Sequence, residues 1–511
     1  MPRLNRPVLV MALALVALLG LLSSRASGAS LQTGFLEEQT EVDGAHRNTN
    51  MDNMKLAGAR GVRYFLYWSQ LAPTQPAQPT DPQSYDWTKV DRMVISAHDR
   101  GLEPILDIAR APNWAEQPLS EPVAGEGPGS ANPNPGDLHD FAVAAATRYS
   151  GTYAADGGSC TPNVDCLPRV RYWQAWNEPN YPWFLVPQYN SSGVMVSAAI
   201  YRDLVNAVAN AVRSVALPPL APRNFVIAGG TAPWGHAKSP SPLAFARAVL
   251  CIKPTCSTKT KFDAWATHPY TKGGPTHKAD KAGDVEIGDL PALRKLLNTA
   301  QSKNRIANVN NGSKADLWVT EFSWDSKAPD PKAVPQKLHQ RWTAEALYRM
   351  WKSGVRMLVW FTVRDRPLPQ SFWQSGFWFC GQPSSGDDTV ANPGNLCGLD
   401  PANDVPKPSF EAFRFPFVAF DKNGKVSVWG RVPPGAPKAV TIQRKKSGSF
   451  KTVKKLKAAS DGTFKWTQTT SWTRGFYRAK ITGDTSIAFS LSSPKPYTRN
   501  LPFGCGGAVA C

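Results

Sequence analysis

Eight short apolar runs recur between Thr33 and Val363, and stretches of helical periodicity separate several of them. In order they are TGFLEE, GVRYFLYW, LEPILDIAR, VRYWQAWNE, FVIAGGTAP, FDAWATHPY, LWVTEFSW and VRMLVWFTV. Apolar runs this short read as buried strands. YRDLVNAVANAVRSV and PQKLHQRWTAEALYRMWKSG instead repeat their apolar residues at helical spacing and end near Gly or Pro. Eight strands that mostly alternate with helices predict an α/β chain folded as a (β/α)8 TIM barrel. The 511 residues exceed what a barrel of about 250 residues needs, so a second, smaller domain is expected.

That domain begins after KPSFEAFRFPF, where the pattern changes to short alternating strands broken by turn signals: GKVSVWGRV, KAVTIQRKK, FKTVKKLKA, GTFKWTQT, GFYRAKIT and SIAFSLS. With Asn423, Gly424, Asp461 and Gly462 at turns, these predict a small all-β sandwich. The expected division is 1–29 signal peptide, 30–418 barrel and 419–511 sandwich. Two barrel segments, Glu116 to Gly136 and Pro367 to Pro408, are long enough to be functional rims.

Arg3 and Arg6 precede an apolar run from Val8 to Leu22, followed by the small and polar SSRASGAS. This is the layout of a secretory signal peptide cleaved after Ala29, and a run of about 15 residues is short for a membrane span of about 20. No later segment is long and apolar enough to span a bilayer, so a secreted, extracellular protein is expected. The eight cysteines fit export, falling as close pairs: Cys160 with Cys166, Cys251 with Cys256, Cys380 with Cys397, and Cys505 with Cys511. No two-residue Cys spacing or nearby His cluster supports a metal site.

The net charge of +19 is unevenly placed. From Ala419 to Asn500, Arg444, Lys445, Lys446, Lys451, Lys454, Lys455 and Lys457 face only three acids, Asp421, Asp461 and Asp484. An anionic surface such as an acidic cell-wall polymer is one reading of this segment, and a solubilising face is the other. Nucleic acid is not expected of an exported chain without a recognisable binding module.

In a (β/α)8 barrel the C-terminal strand ends converge on one face, where the site is built. Glu178 ends the fourth run and Glu321 the seventh, so the two carboxylates face each other across the barrel mouth. Two carboxylates flanking a bond are what glycoside hydrolysis requires, one protonating the leaving oxygen while the other attacks the anomeric carbon. A separation of about 5 to 5.5 Å implies a covalent intermediate and retention, and about 6.5 to 9.5 Å implies inversion.

WNEP after a strand, with a glutamate ending the later WVTEFSW strand, resembles clan A of the glycoside hydrolases, retaining barrel enzymes that include families 5 and 39. The resemblance covers roughly Leu31 to Pro416 and extends to GVRYFLYW, THPY and the WF of the eighth run. It implies Glu178 as general acid/base and Glu321 as nucleophile. Asn177 would bond the hydroxyl beside the anomeric carbon, and Arg63 would hold Glu321 ionised. His268 and Tyr270 would line the cleft, and Trp360 would floor the first sugar subsite. A tryptophan-rich pocket around Trp176 and Trp183 would keep Glu178 protonated.

The 18 tryptophans suit sugar handling, because apolar pyranose faces pack on aromatic rings; Trp114 and Trp183 are the expected platforms. An oligo- or polysaccharide is the expected substrate, and the two-carboxylate mechanism needs no cofactor. Clan A spans several sugars and both endo and exo action, which stay open, as does the role of the C-terminal domain. The alternative class is a non-catalytic wall or polysaccharide-binding protein using the barrel as a scaffold. Retention of both glutamates with Asn177 and Arg63 argues against it. Asn190 and Asn311 sit in glycosylation sequons.

Overall fold

The computed structural model describes residues 30–36, 46–119, 123, 125–309, 314–327, 330, 333–366, 373–380, 401–469 and 474–494. The signal-peptide segment, Asn311, Cys397, Cys505, Cys511 and much of the Pro367 to Pro408 segment lie outside the described residues.

Each of the eight runs forms a strand of one closed, all-parallel barrel: β1 (Gln32–Leu36), β2 (Gly61–Tyr67), β3 (Glu103–Ala109), β4 (Tyr172–Ala175), β5 (Phe225–Thr231), β6 (Ala264–Thr267), β7 (Asp316–Val319) and β8 (Val355–Phe361). Neighbours in sequence are neighbours in the barrel, and β1 closes it by pairing with β8 from Gln32↔Met357 to Leu36↔Phe361. A principal helix follows each strand: α1 (Arg47–Leu56), α2 (Thr88–Asp99), α3 (Pro135–Arg148), α4 (Ser197–Ser214), α5 (Pro242–Val249), α6 (Leu290–Ser302), α7 (Gln336–Lys352) and α8 (Pro408–Arg414), with a further single turn at Trp68–Leu71 after β2. Helix starts carry local signals: Asn134 accepts N–H bonds from Gly136 and Asp137 to cap α3, and prolines open α3, α5, α6 and α8.

The two-residue period of the strands splits the core into two layers. Ile105, Ile227, Trp318, Met357, Val359 and Phe361 fill the barrel interior, while Leu106, Ala228, Leu317, Leu358 and Trp360 pack outward against the helices. An interior this full is a packed core and not a pore. Chemistry is therefore confined to the C-terminal strand ends.

The C-terminal part forms two antiparallel sheets, beginning at Phe417. One joins β9 (Phe417–Lys422), β10 (Lys425–Arg431) and β13 (Thr463–Thr469). The other joins β12 (Lys451–Lys457), β11 (Ala439–Lys445) and β14 (Phe476–Ile481) with two short strands. Phe420 meets Phe489 across the sheets at 5.7 Å. The unit is fixed to the barrel at the start of β1, where Arg431 donates to Leu31 O at 2.5 Å, and on α7, where Tyr348 and Trp351 pack on Trp429. These contacts lie at the end opposite the barrel mouth. Cys160–Cys166 and Cys251–Cys256 are bonded, and Cys380 is also in a disulfide. Among the described residues no helix is long and apolar enough to cross a membrane.

Candidate active site

Past the end of β4 the backbone leaves its two-residue alternation. Trp176 and Glu178 both take left-handed conformations, with φ of 70° and 39°. Each such residue without a glycine costs on the order of 1–3 kcal/mol and persists only where its surroundings hold it. Here the Trp176 N–H bonds Ile108 O and the Glu178 N–H bonds Gly230 O, both at 2.9 Å. The result is a reversal of direction. Trp176 turns its ring into the outer layer and donates Nε1–H to Phe184 O at 2.6 Å, and the residues after it reach the mouth. Gly230 itself has no room for a side chain: at φ 56°, a Cβ there would stand 2.8 Å from Gln174 Nε2.

Arg63, pointing inward from β2, organises the floor. Its Nη1 donates to Glu321 Oε1 at 2.6 Å and to Thr320 O at 3.1 Å; its Nη2 donates to Asp107 Oδ2 at 2.5 Å and Asn177 Oδ1 at 2.7 Å. Arginine only donates, so the Asn177 atom facing it is the oxygen, and the amide keeps its own N–H donors for another partner. The guanidinium is wholly buried, and its planar fork is suited to binding several oxygens at once.

His268, after β6, stands between the two glutamates. Its Nδ1 is 2.9 Å from Glu178 Oε1 and 3.7 Å from Glu321 Oε2, and its Nε2 is 3.1 Å from Thr320 Oγ1. Tyr270 donates its hydroxyl to Glu321 Oε2 at 3.2 Å. One carboxylate oxygen from each glutamate and one His268 nitrogen all lie within 4.8 Å of one another. Each glutamate side chain keeps a small window to solvent, 13% for Glu178 and 12% for Glu321.

The two carboxyls are pushed apart electrostatically. Burial raises Glu178, the charge of Glu321 adds to the rise, and His268 opposes it. Burial works the same way on Glu321, but His268, Arg63 and the Tyr270 hydroxyl together hold it below the usual carboxylate range. Burial also keeps Tyr270 protonated well above its ordinary range, so it stays a donor. Opposed environments for paired acids are the pattern that separates a proton donor from an anion. The same three side chains form a donor set that a divalent cation could occupy, yet the Arg63 cation already stands 2.6 Å from Glu321.

The structure thus brings Glu178, Glu321, Asn177, Arg63, His268 and Tyr270 together. It does not place Trp360 there. The strand alternation points Trp360 outward, fully buried against Phe377 at 4.7 Å and Phe413 of α8 at 6.0 Å, with its N–H on Ser375 O. Its neighbour Phe361 faces the mouth instead, edge-on to Trp373 at 4.9 Å. Trp176 likewise belongs to the outer layer, so Glu178 is desolvated by the mouth and not by that ring. Trp114 packs on Trp68 at 5.5 Å with its N–H on Ala72 O, which makes it a support for the turn after β2. Trp183 lies half-buried under the Arg110 guanidinium, 5.3 Å away.

Several contributors escaped the sequence reading. Asp107 on β3 is the second carboxylate on Arg63 and also accepts from Gln174 Nε2 at 3.2 Å; burial pushes it up to about 6 against the pull of Arg63. Thr320 anchors both His268 and Arg63. Arg110, in a left-handed conformation just after β3, bonds Trp183 O at 2.7 Å and feels the charge of Glu178. The run LEPILDIAR carried the signal, since Asp107 and Arg110 lie near a strand's C-terminal end.

No family model matches the chain, and no curated protein matches it. Solved structures similar to it include a family 39 glycoside hydrolase from the gut symbiont Bacteroides cellulosilyticus, at 15% identity over 83% of this chain and 74% of that one, with a TM-score of 0.47. A family 39 enzyme from Xanthomonas axonopodis is similar at 14% identity over 86% and 91%, with a TM-score of 0.45. A family 39 β-xylosidase from Caulobacter crescentus is similar at 16% identity over 82% and 84%, also with a TM-score of 0.45.

Proposed function

We propose that the protein is a glycoside hydrolase that cleaves O-glycosidic bonds of an oligo- or polysaccharide with retention, through a covalent glycosyl-enzyme. The observation that carries this reading is the approach of Glu178 and Glu321 oxygens to within 4.8 Å, with one carboxyl raised and the other lowered. So close an approach of the two carboxyls favours the shorter separation of a retaining site over the wider one of an inverting site.

In the first step Glu178 gives its proton to the glycosidic oxygen while a Glu321 oxygen attacks the anomeric carbon. The C–O bond to the leaving group breaks and an ester to Glu321 forms. In the second step Glu178, now ionised, takes a proton from water, which attacks the anomeric carbon and releases Glu321 as carboxylate. Arg63 and Tyr270 hold Glu321 with their donors, and this fixes the attacking oxygen and eases its departure. The free N–H donors of Asn177 meet the neighbouring sugar hydroxyl, a bond that strengthens as charge develops. His268, with Nδ1 at 2.9 Å from Glu178 Oε1, orients that carboxyl toward the glycosidic oxygen. Phe361 offers the apolar floor. No cofactor enters either step.

Export is part of the same proposal: the basic and apolar N-terminus and the disulfides at Cys160–Cys166 and Cys251–Cys256 fit an oxidising, extracellular setting. The test is reducing-sugar release from a panel of plant and microbial polysaccharides and aryl glycosides, wild type beside Glu321→Gln. Release by the wild type alone supports the reading. Release by neither, with both proteins retained on an insoluble polymer, would replace it with a binding role.

A further inference from the structure

The outer face of the β12-β11-β14 sheet carries five cations, Lys445, Lys455, Lys457, Arg478 and Lys480, set among neutral side chains. Strand register fixes which side chains share it: Thr441 lies opposite Lys455 and Lys480, Ala439 opposite Lys457, Gln443 opposite Arg478, and Lys445 opposite Phe476. The alternate residues Val440, Ile442, Tyr477 and Ala479 are buried against the other sheet, so this set points to solvent. Lys455, Lys457 and Lys480 are exposed, and Arg478 and Lys445 are half-exposed.

No carboxylate of the segment lies on this face. Asp484 is bound to Arg414 at 2.8 Å, Asp461 caps its own turn on Thr463, and Asp421 belongs to β9 in the other sheet. Lysines along an edge strand are a common guard against strand addition, which accounts for Lys455 and Lys457 on β12. It does not account for Arg478 and Lys480, because β14 is paired on both sides.

Aromatic surface is interleaved with the charge. Phe476 is 45% exposed beside Lys445, and the Phe450 ring is covered by the Arg478 guanidinium at 3.9 Å. Cations along one strand recur about every 7 Å and adjacent strands lie about 4.8 Å apart, so an extended polymer meets several at once. An apolar ring face packs on the aliphatic side of a sugar, and ammonium groups pair with its carboxylates. The face is an open sheet surface, which suits a long chain and not an enclosed small molecule.

We propose that this sheet face binds an acidic, carboxylated polysaccharide, tethering the protein to a polyuronate through Lys455, Lys457, Lys480, Arg478 and Lys445. The tether is independent of the barrel chemistry, since the sheets join the barrel at the end away from its mouth.

The test is titration of the full chain, carrying Glu321→Gln so that no turnover interferes, with polygalacturonate at low and at high salt. A triple variant, Lys455→Glu with Lys457→Glu and Lys480→Glu, is compared with a control triple on other exposed surface, Lys303→Glu with Lys337→Glu and Lys425→Glu. The net charge is the same in both, and a thermal melt confirms folding. The proposal expects salt-sensitive binding that falls by about tenfold or more in the first triple and stays near the parent in the second. Equal loss in both triples, or none in either, overturns it. Equally tight binding of phosphatidylglycerol vesicles or duplex DNA, with the same dependence on the first triple, overturns the assignment to a polyuronate.

Discussion

Arg63 Nη1 lies 2.6 Å from Glu321 Oε1, and the guanidinium has no exposure to solvent. This ion pair is buried at the floor of the mouth and shared with Asn177, so it couples the anion to the residue that would meet the sugar. Lysine keeps the charge but cannot reach all these oxygens. Arg63→Lys is expected to lower kcat/KM by about a hundredfold or more and to move the acid limb of the pH–rate profile upward. An unchanged rate and acid limb would make the pair a barrel stabiliser only.

Glu178→Gln removes the proton donor and leaves the nucleophile. Alkyl glycosides, whose leaving group needs a proton, are expected to lose about 10²- to 10⁴-fold in kcat/KM. Aryl glycosides with acidic phenols should keep their first step, seen as a burst of phenol. Equal losses on both substrate types would remove Glu178 from the donor role.

The shifts of the two glutamates set the pH dependence. Glu178 must carry its proton and lies above the ordinary value of 4.5, so activity falls as pH rises through that raised value. Glu321 must be ionised and lies below 4.5, so activity falls on the acid side only beneath the usual carboxylate range. A bell follows, and in Glu178→Gln its alkaline limb should vanish on good leaving groups. The stabilities run the same way: the depressed Glu321 stabilises the fold above 4.5 and this is lost on acidification, while the raised Glu178 costs stability as pH rises.

Asp107 is raised from 3.8 to about 6 by burial. The folded protein therefore holds a proton there that the unfolded chain has lost, and stability falls as pH climbs through this window. The difference corresponds to about 3 kcal/mol. Urea midpoints followed with pH should show the wild type losing about that much relative to Asp107→Asn between pH 4 and 7. Parallel curves would contradict the burial of an ionising Asp107.

Trp360 and Phe361 are adjacent but face opposite layers. Trp360→Ala is expected to cost about 3–5 kcal/mol of stability, with KM little changed in the folded fraction. Phe361→Ala should instead raise KM or lower kcat with a smaller loss in melting temperature. The reverse pattern would restore Trp360 to the subsite.

That pair also shows where the sequence stops being legible. Period and run length specify all eight strands, and the carboxylates are visible because each ends a strand. Which of two adjacent aromatics faces the mouth depends on register, and a one-residue difference exchanges the faces. Trp176 defeats the rule in another way, since its left-handed backbone reverses the alternation beyond β4. Asp107 lies near the C-terminal end of β3, a position that marks it as a candidate, but only its bond with Arg63 across neighbouring strands reveals its part. Arg63 itself was legible through the motif it shares with the family resemblance. The cationic sheet face was visible as composition, but the pairing of β11 with β12 and β14 was needed to show that the charges share one side.

Retention by double displacement requires a covalent ester on Glu321. This requirement is tested by incubating the wild type with the 2-deoxy-2-fluoro glycosyl fluoride of whichever sugar the panel identifies, then locating the adduct by mass spectrometry. The ring fluorine slows both steps and the fluoride leaving group favours the first, so the intermediate accumulates. One fluoroglycosyl group on Glu321, with products of retained configuration from the ordinary substrate, is the predicted result. An inverted product without any adduct, or an adduct on another residue, would contradict the account.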